Sequence, residues 1–285
     1  MKIPRRLQPL IDDGLVDQIL SRLKSGKEAD IYVVRCNGVI RCAKVYKDIQ
    51  KRSFKQAVQY QEGRKVRNSR RARAMDKGSR YGRAQQEETW HNAEMDALNR
   101  LVNTTVRIPQ NYGCFDGVLL LELICDEDGS VAPRLIDLEF SSQEAASQHA
   151  VLMDFVKQML CVGLVHGDLS EFNVLVDEQG PVIIDFPQAV NAAANNHAEG
   201  MLRRDVENIT NFYGQFAPDI LKTRYAEEMW ALYSEGELQP ESVLSGRFKR
   251  ATGTVNVDSV LDDIQTVIDE EDERQALLSM GLRGE

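Results

Sequence analysis

The densest cluster of polar residues lies in the middle of the chain, in the segment His166-Gly-Asp-Leu-Ser-Glu-Phe-Asn173. Asn173 lies five residues after Asp168. Asp185 lies twelve residues after Asn173, at the end of the next apolar run. Phosphoryl transfer needs one carboxylate that accepts a hydroxyl proton, together with an amide and a second carboxylate that offer oxygen ligands to Mg²⁺. Apolar residues on both sides of this segment would hold the three groups rigidly. The spacing therefore predicts a phosphoryl-transfer site made of Asp168, Asn173 and Asp185.

A lysine and a glutamate nearer the N-terminus are predicted to form an ion pair. Lys44 shares one face of a predicted strand with Ile40 and Tyr46. Glu94 begins a helical stripe that is otherwise apolar and runs over residues 94–101. An acid on an inward-facing stripe needs a partner, because an unpaired buried charge costs several kcal/mol. Lys44 is the partner that we expect for Glu94.

The elements that position these residues change from strands to helices along the chain. Asn37-Gly38 and Asp116-Gly117 each separate two β-rich runs, which predicts two hairpins because both turn positions accept a positive φ. Ser141 and Glu144 have capping-box spacing at the start of a helical stripe. The predicted elements are strands 31–36, 39–46, 112–115, 118–124, 174–176 and 182–184, and helices 89–102, 141–163, 202–216 and 220–233. This order predicts an α+β chain with a strand-rich lobe followed by a helical lobe.

The composition and the pattern of apolar residues and cysteines indicate the cellular location of the protein. The chain has 285 residues and contains no apolar run of the about 18 residues that span a membrane. The N-terminal residues lack the apolar stretch of a signal peptide. Five cysteines are dispersed singly, which is typical of reduced thiols rather than of disulfides or a zinc site. We therefore expect a cytoplasmic protein without a membrane partner.

The net charge of −9 hides two opposed segments. Residues 51–83 contain twelve Lys and Arg against two acids, a local charge of +10, whereas residues 258–273 contain eight acids and no base. The part of the basic segment at 64–83 is nearly without large apolar residues, and a flexible insertion is predicted at about 62–88. Such a segment could contact RNA phosphates. A solvated loop held against the acidic tail is the alternative.

Five sequence segments resemble the RIO family of atypical protein kinases. They are S-G-K-E-A-D-I-Y (25–32), A-K-V-Y (43–46), H-G-D-L-S-E-F-N-V-L (166–175), I-I-D-F-P-Q-A-V (183–190) and L-R-R-D (202–205). The resemblance implies an ATP-dependent and Mg²⁺-dependent serine/threonine kinase or ATPase, with Mn²⁺ as an alternative ion. It also implies a protein-kinase-like two-lobe fold, with a small antiparallel-sheet N-lobe, a mainly helical C-lobe and no activation segment.

The resemblance assigns a role to each matching residue. Asp168 becomes the catalytic aspartate, Asn173 and Asp185 become metal ligands, and Lys44 with Glu94 becomes the ion pair that aligns the ATP phosphates. The remaining nucleotide contacts are Ser25, Gly26 and Lys27 in a phosphate loop, and the backbone carbonyl of Glu122 and backbone N–H of Ile124 at the adenine. The implied domains are an N-lobe over 1–124, a C-lobe over 125–250 and an acidic tail over 251–285.

The chain combines features of different branches of this family. The short stretch before residue 25 and the basic insertion resemble the branch that lacks an N-terminal winged helix. The motifs His166-Gly167-Asp168 and Asp185-Phe186-Pro187 resemble those of members outside that branch. Because the features are mixed, we expect a bacterial member of the family. Because no A-P-E motif or long segment follows Asp185, autophosphorylation or an ATP-driven conformational role is more plausible than peptide docking. Ribosome assembly, with ribosomal RNA contacted through 51–83, is the expected setting.

Two other functions stay open at this stage. A small-molecule phosphotransferase similar to aminoglycoside kinases also carries an H-G-D loop, but Ser170-Glu171-Phe172 stands where those enzymes more often have H-P-G. A non-catalytic RNA-binding scaffold would keep ATP only as a switch. Acceleration of ATP consumption by aminoglycosides would favour the first alternative, and a role that survives loss of Asp168 would favour the second.

Overall fold

The computed structural model describes residues 3–26, 28–47 and 93–248. Four predictions fall wholly outside these residues: the phosphate-loop role of Lys27, the basic segment 51–83, its flexible part at about 62–88, and the acidic tail 251–285. In the described parts of the chain, no helix is long and apolar enough to cross a bilayer.

A five-stranded antiparallel sheet lies in the described chain before residue 123. A short helix, α1 (Gln8–Asp12), precedes it. The strands are β1 (Gln18–Ser25), β2 (Ala29–Cys36), β3 (Val39–Tyr46), β4 (Asn111–Phe115) and β5 (Val118–Glu122), and they lie in the order β1-β2-β3-β5-β4. The helix that follows β3 in the chain, α2, has its described part at 93–101. The sheet therefore places β3 in its centre, with β5 on one side and β2 on the other.

Both predicted hairpins of this sheet are confirmed. Asn37 and Gly38 have φ values of 49° and 79°, and Asp116 and Gly117 have φ values of 48° and 78°. Two successive positive φ values match the twist of the flanking strands, which explains why Asn-Gly and Asp-Gly occur there. β5, however, ends at Glu122 rather than at residue 124. The predicted adenine contacts thus lie where the strand gives way to the link between the lobes.

The second part of the chain is mainly helical. It contains a 3₁₀ helix (Leu135–Asp137), α3 (Ser142–Cys161), α4 (Ala198–Gly214), a second 3₁₀ helix (Pro218–Lys222) and α5 (Tyr225–Ser234). Two small antiparallel pairs are also present: β6 (Leu164–Val165) with β9 (Val190–Asn191), and the hairpin of β7 (Val174–Asp177) with β8 (Gly180–Ile183). Apolar faces of α3 and α4 form the core of this part, with Leu152, Met159 and Ile209 fully buried.

Two helix predictions can be compared in detail with the structure. The capping box is confirmed, because Ser141 accepts a hydrogen bond from the Glu144 N–H while the Glu144 carboxylate accepts one from the Ser141 N–H. The prediction of one helix over 220–233 is wrong. Thr223 is extended there, and the Arg224 N–H donates to the remote Gly246 carbonyl oxygen instead of continuing the helix.

Candidate active site

Lys44 is buried in the centre of the sheet and contacts two carboxylates. Its Nζ lies 2.7 and 2.9 Å from the two oxygens of Glu94 and 2.5 Å from Oδ1 of Asp185. An ammonium group has three N–H donors, so these contacts use all of them. Glu94 is 1% exposed and also accepts a hydrogen bond from the Tyr46 hydroxyl. The sheet, α2 and the second residue after β8, Asp185, therefore meet at one cation.

Lys44, Glu94 and Asp185 form a triad in which the charge of the lysine and those of the carboxylates offset the cost of burial. Burial alone would lower the pKa of Lys44, but the carboxylates of Asp185 and Glu94 outweigh it and hold that pKa above its usual value. Burial opposes the ionised form of Asp185 as well, yet the charge and hydrogen bond of Lys44 keep its pKa below the usual range. Burial and the nearby Asp185 raise the pKa of Glu94, although Lys44 favours its ionised form. Lys44 is thus fixed as a cation.

Asp185 is held in a backbone conformation that non-glycine residues seldom adopt. Its φ is +71°, in the left-handed region. The residue before it is fixed twice, because the Ile184 N–H donates to the Asn173 carbonyl oxygen and the Ile184 carbonyl lies 3.2 Å from Nε2 of His166. The next residue, Phe186, is fully buried against the His166 ring. These contacts offset the conformational strain and direct the Asp185 carboxylate towards Lys44.

Asp168 and Asn173 lie in the loop between β6 and β7. The side-chain N–H₂ of Asn173 donates to the Asp168 carbonyl oxygen at 2.8 Å, and the Gln188 amide donates to Oδ2 of Asp168 at 3.1 Å. Burial, followed by the negative charges of Asp185 and Glu28, raises the pKa of Asp168 to about 6. The carboxylate is therefore ionised at neutral pH and is more basic than an ordinary aspartate.

A buried acid on α4 fixes the backbone of this loop. Oδ2 of Asp205 accepts from the Gly167 N–H at 2.8 Å, and Oδ1 accepts from the Leu169 N–H at 2.9 Å. Asn208 donates to the Leu169 carbonyl oxygen from the next turn of the helix. Burial raises the pKa of Asp205 to about 7, although the two N–H donors favour its ionised form. Both backbone amides that flank Asp168 are consequently clamped by one carboxylate.

The turn between β1 and β2 contains the residues predicted to bind phosphate. Ser25 is the last residue of β1, and its hydroxyl donates to Asp30. The Gly26 N–H donates to the Ala29 carbonyl oxygen, while Lys47 donates to the Gly26 carbonyl. A Cβ at Gly26 would lie 3.1 Å from the Ala29 oxygen, so a side chain there would crowd the turn. The Gly26 amide is therefore engaged by Ala29.

The predicted adenine contacts lie beside the end of β5. Glu122 is exposed and is bonded to Gln110 through backbone and side chain. Ile124 is buried, and its carbonyl accepts from the Ala132 N–H. Within the described residues, the Ile124 N–H has no hydrogen-bond partner. A buried backbone N–H of this kind is suited to a polar ligand edge.

The structure brings five of the predicted residues together and reveals others that the sequence analysis missed. The contacts described above link Lys44, Glu94, Asp168, Asn173 and Asp185. Ser25 and Glu122 are the last residues of β1 and β5, and Gly26 and Ile124 lie just beyond those ends. Asp205 was missed as a contributor, although it stands on the apolar stripe of α4 as Glu94 stands on that of α2. The same signal, an acid on an inward face, could have identified it.

Comparison with known proteins shows which protein family the chain resembles. A family model for the RIO domain matches residues 30–226. The RIO-type serine/threonine-protein kinase Rio1 of Haloferax volcanii is 30% identical over 212 residues, which cover 74% of this chain and 68% of that protein. The serine/threonine-protein kinase RIO1 of Homo sapiens is 29% identical over 217 residues, 75% of this chain and 36% of that protein. The chain thus corresponds to only part of the longer relatives.

A solved structure supports the same fold. The crystal structure of the Rio2 kinase-ADP/Mg²⁺-phosphoaspartate complex from Chaetomium thermophilum superimposes with a TM-score of 0.56. The two sequences are 21% identical, and the match covers 94% of this chain and 75% of the other. The predicted protein-kinase-like two-lobe fold, with an antiparallel-sheet N-lobe and a mainly helical C-lobe, is confirmed. The described link from Ile183 to Ala198 contains only the two-residue strand β9.

The two hydrogen bonds from the Gly167 and Leu169 N–H groups to Asp205, here called the Asp205 clamp, predict that Asp205 positions the loop between β6 and β7. In Asp205→Asn, an amide N–H₂ would face a backbone N–H, and a buried donor left unpaired costs about 1–3 kcal/mol. We expect kcat to fall about tenfold to a hundredfold through misplacement of Asp168, with a much smaller change in KM for ATP. Steady-state kinetics would measure this split, with the exposed Asp219→Asn as the matched control. Unchanged kcat in a folded Asp205→Asn protein would contradict the clamp.

Proposed function

The chain belongs to the RIO family, and we propose that this RIO-type serine/threonine-protein kinase uses the cleft around Lys44 to transfer the terminal phosphoryl group of ATP. The observation that carries the proposal is the convergence of Lys44, Glu94 and Asp185 beside Asp168 and Asn173. Catalysis of phosphoryl transfer rests on positioning and on charge stabilisation, and these groups supply both.

Nucleotide binding would use the cleft face of the sheet. The Lys44 ammonium, held by Glu94, would contact ATP phosphates, and the turn at Ser25, Gly26 and Lys27 would cover them. The backbone carbonyl of Glu122 and the N–H of Ile124 would bind the adenine edge. The free N–H of Ile124 supports this placement, since a buried donor without a partner is rare in a folded protein.

The residues present fit a hard divalent cation. Asn173 commits its N–H₂ to the Asp168 carbonyl, so its amide oxygen has no hydrogen-bond partner among the described residues. Asp185 offers a carboxylate whose Oδ2 is not used by Lys44. Mg²⁺ is commonly held by one or two protein oxygens together with phosphates and water. When bound, Mg²⁺, or Mn²⁺ in its place, supplies positive charge that neutralises phosphate oxygens.

Asp168 would act as the proton acceptor. As the hydroxyl oxygen of the acceptor forms a bond to the terminal phosphorus, its proton passes to an oxygen of Asp168, and the bond to the ADP oxygen breaks. A carboxylate with a pKa of about 6 is ionised at neutral pH and can take that proton. Gln188 and the Asp205 clamp hold the carboxylate in place for this step.

Two further parts of the proposal concern the acceptor of the phosphoryl group and the cellular compartment. A short link after Asp185 leaves little chain for docking a peptide, which favours autophosphorylation or ATP hydrolysis over phosphorylation of a separate peptide. All five cysteines are free thiols, which is typical of a reducing compartment and supports a cytoplasmic protein.

Turnover of labelled ATP tests the proposed reaction. With Mg²⁺ present, we expect wild type to transfer label to protein, and Asp168→Asn to lower that transfer about a hundredfold or more while nucleotide still binds. Asp185→Asn should lower the transfer of label to protein, and added Mg²⁺ should no longer increase that transfer. Asp219→Asn, an exposed acid remote from the cleft, is the matched control. Phosphoprotein and free phosphate are counted separately.

The outcomes separate three functions. Stable label on the protein that depends on both aspartates supports the kinase. Free phosphate without stable label, lost in the same variants, would assign an ATP-driven switch instead. Equal turnover in wild type and both variants, with nucleotide binding retained, would contradict catalysis and favour a scaffold.

We also propose that segment 51–83 contacts RNA in a ribosome-assembly particle, on the support of its charge of +10. RNA affinity should then fall steeply as salt rises, by a log–log slope of about −0.7 per single-strand phosphate contact. Replacing Arg70, Arg71 and Arg73 with Gln should flatten that slope, whereas Lys222→Gln, an exposed control, should not. An affinity that does not change with salt would overturn the proposal.

A further inference from the structure

Lys24, which the sequence analysis did not single out, shares the cleft face of the sheet with Lys44. In the strand register, Lys24 of β1 stands opposite Ile31 of β2, and Ile31 stands opposite Lys44 of β3. Directly opposed residues of antiparallel strands point to the same face. Two strand spacings of about 4.8 Å therefore separate Lys24 from Lys44 on one surface.

The Lys24 ammonium has no bonded partner among the described residues, whereas that of Lys44 is bonded to two carboxylates. All three N–H groups of Lys44 are used by Glu94 and Asp185. Within the described residues, the exposed Lys24 ammonium forms no hydrogen bond and no ion pair. The strand register places it on the cleft face with Lys44, and the charge of Asp185 acts to raise its pKa.

A second cation, Arg134, lies in the link between the lobes. It pairs with Leu175 of β7 in an isolated bridge. It precedes the 3₁₀ helix Leu135–Asp137, whose Ile136 N–H donates to the Glu171 carbonyl oxygen in the loop between β6 and β7. Burial and the charge of Arg134 lower the pKa of Lys24, while Asp185 and Asp137 act in the opposite direction. The Arg134 guanidinium also lacks a side-chain partner among the described residues. Lys24 and Arg134 thus repel each other, and neither forms an ion pair among the described residues, which suits the two cations to an added anionic ligand.

We propose that Lys24 and Arg134 together bind the terminal phosphates of the nucleotide from opposite sides of the cleft mouth. The inference rests on the proposed ATP-dependent function and adds two residues to it. A polyphosphate is the favoured anion because Asp185, the proposed metal ligand, lies in range of Lys24. Lys supplies a compact charge and Arg a planar fork of donors, and both suit phosphate oxygens.

Calorimetric titration of the full chain with Mg²⁺-ATP, Mg²⁺-ADP and adenosine tests this site. We expect Lys24→Met and Arg134→Met each to weaken ATP binding about tenfold, because each removes one charge-assisted contact. The loss should be smaller for ADP and absent for adenosine, and Lys24→Arg should largely restore ATP affinity. Arg35→Met is the matched control, since Arg35 is exposed on the same face about 13 Å along β2.

The outcomes distinguish this site from the function on which it depends. If wild type and Lys24→Met bind ATP equally well, or if adenosine affinity falls as much as ATP affinity, the phosphate site is overturned while the kinase function stands. If both variants bind ATP normally but raise KM for an acidic protein acceptor, the anion comes from the acceptor and the proposal is also overturned. Absence of ATP binding by wild type would refute the proposed function itself.

Discussion

The active site depends on one cation held by two carboxylates in the interior of the cleft. Lys44 joins the centre of the sheet to Glu94 on α2 and to Asp185 after β8. Removing one partner from a buried ion pair leaves an uncompensated charge and costs about 3–5 kcal/mol. The buried Lys44–Glu94 pair is therefore a constraint on the chain, because the sheet and α2 must be in place together for either charge to be tolerated. Asp185, whose side chain is 43% exposed, adds a third charge from the cleft side.

Each neighbour of the triad is fixed by another part of the molecule. Asp185 keeps its left-handed backbone because Ile184 is bonded to the catalytic loop and Phe186 is buried against His166. Asp205 in turn clamps the backbone amides on both sides of Asp168. The proposed proton acceptor, the proposed metal ligands and the lysine proposed to bind phosphate are thus held by one interlocked set of contacts, which fits the positional demands of phosphoryl transfer.

Sequence patterns predicted what is encoded locally. The two hairpins follow from Asn37-Gly38 and Asp116-Gly117, and the position of Glu94 on an inward stripe identified its need for a cation. β1 was missed because it is an edge strand with mostly exposed residues and no alternating pattern. The contact from Gln188 to Asp168 and the break at Thr223 depend on tertiary contacts between distant segments, which periodicity does not record.

The most direct test of the triad is a double-mutant cycle on kcat/KM for ATP with Lys44→Met, Glu94→Gln and the double variant. If Glu94 acts through Lys44, the double variant should be about as impaired as Lys44→Met alone, and the two losses should differ from additivity by about 1.4 kcal/mol or more. The pair Glu94→Gln with Arg35→Met provides an additive control. Additive losses for Lys44 and Glu94, in variants that remain folded, would contradict the triad as a single functional unit.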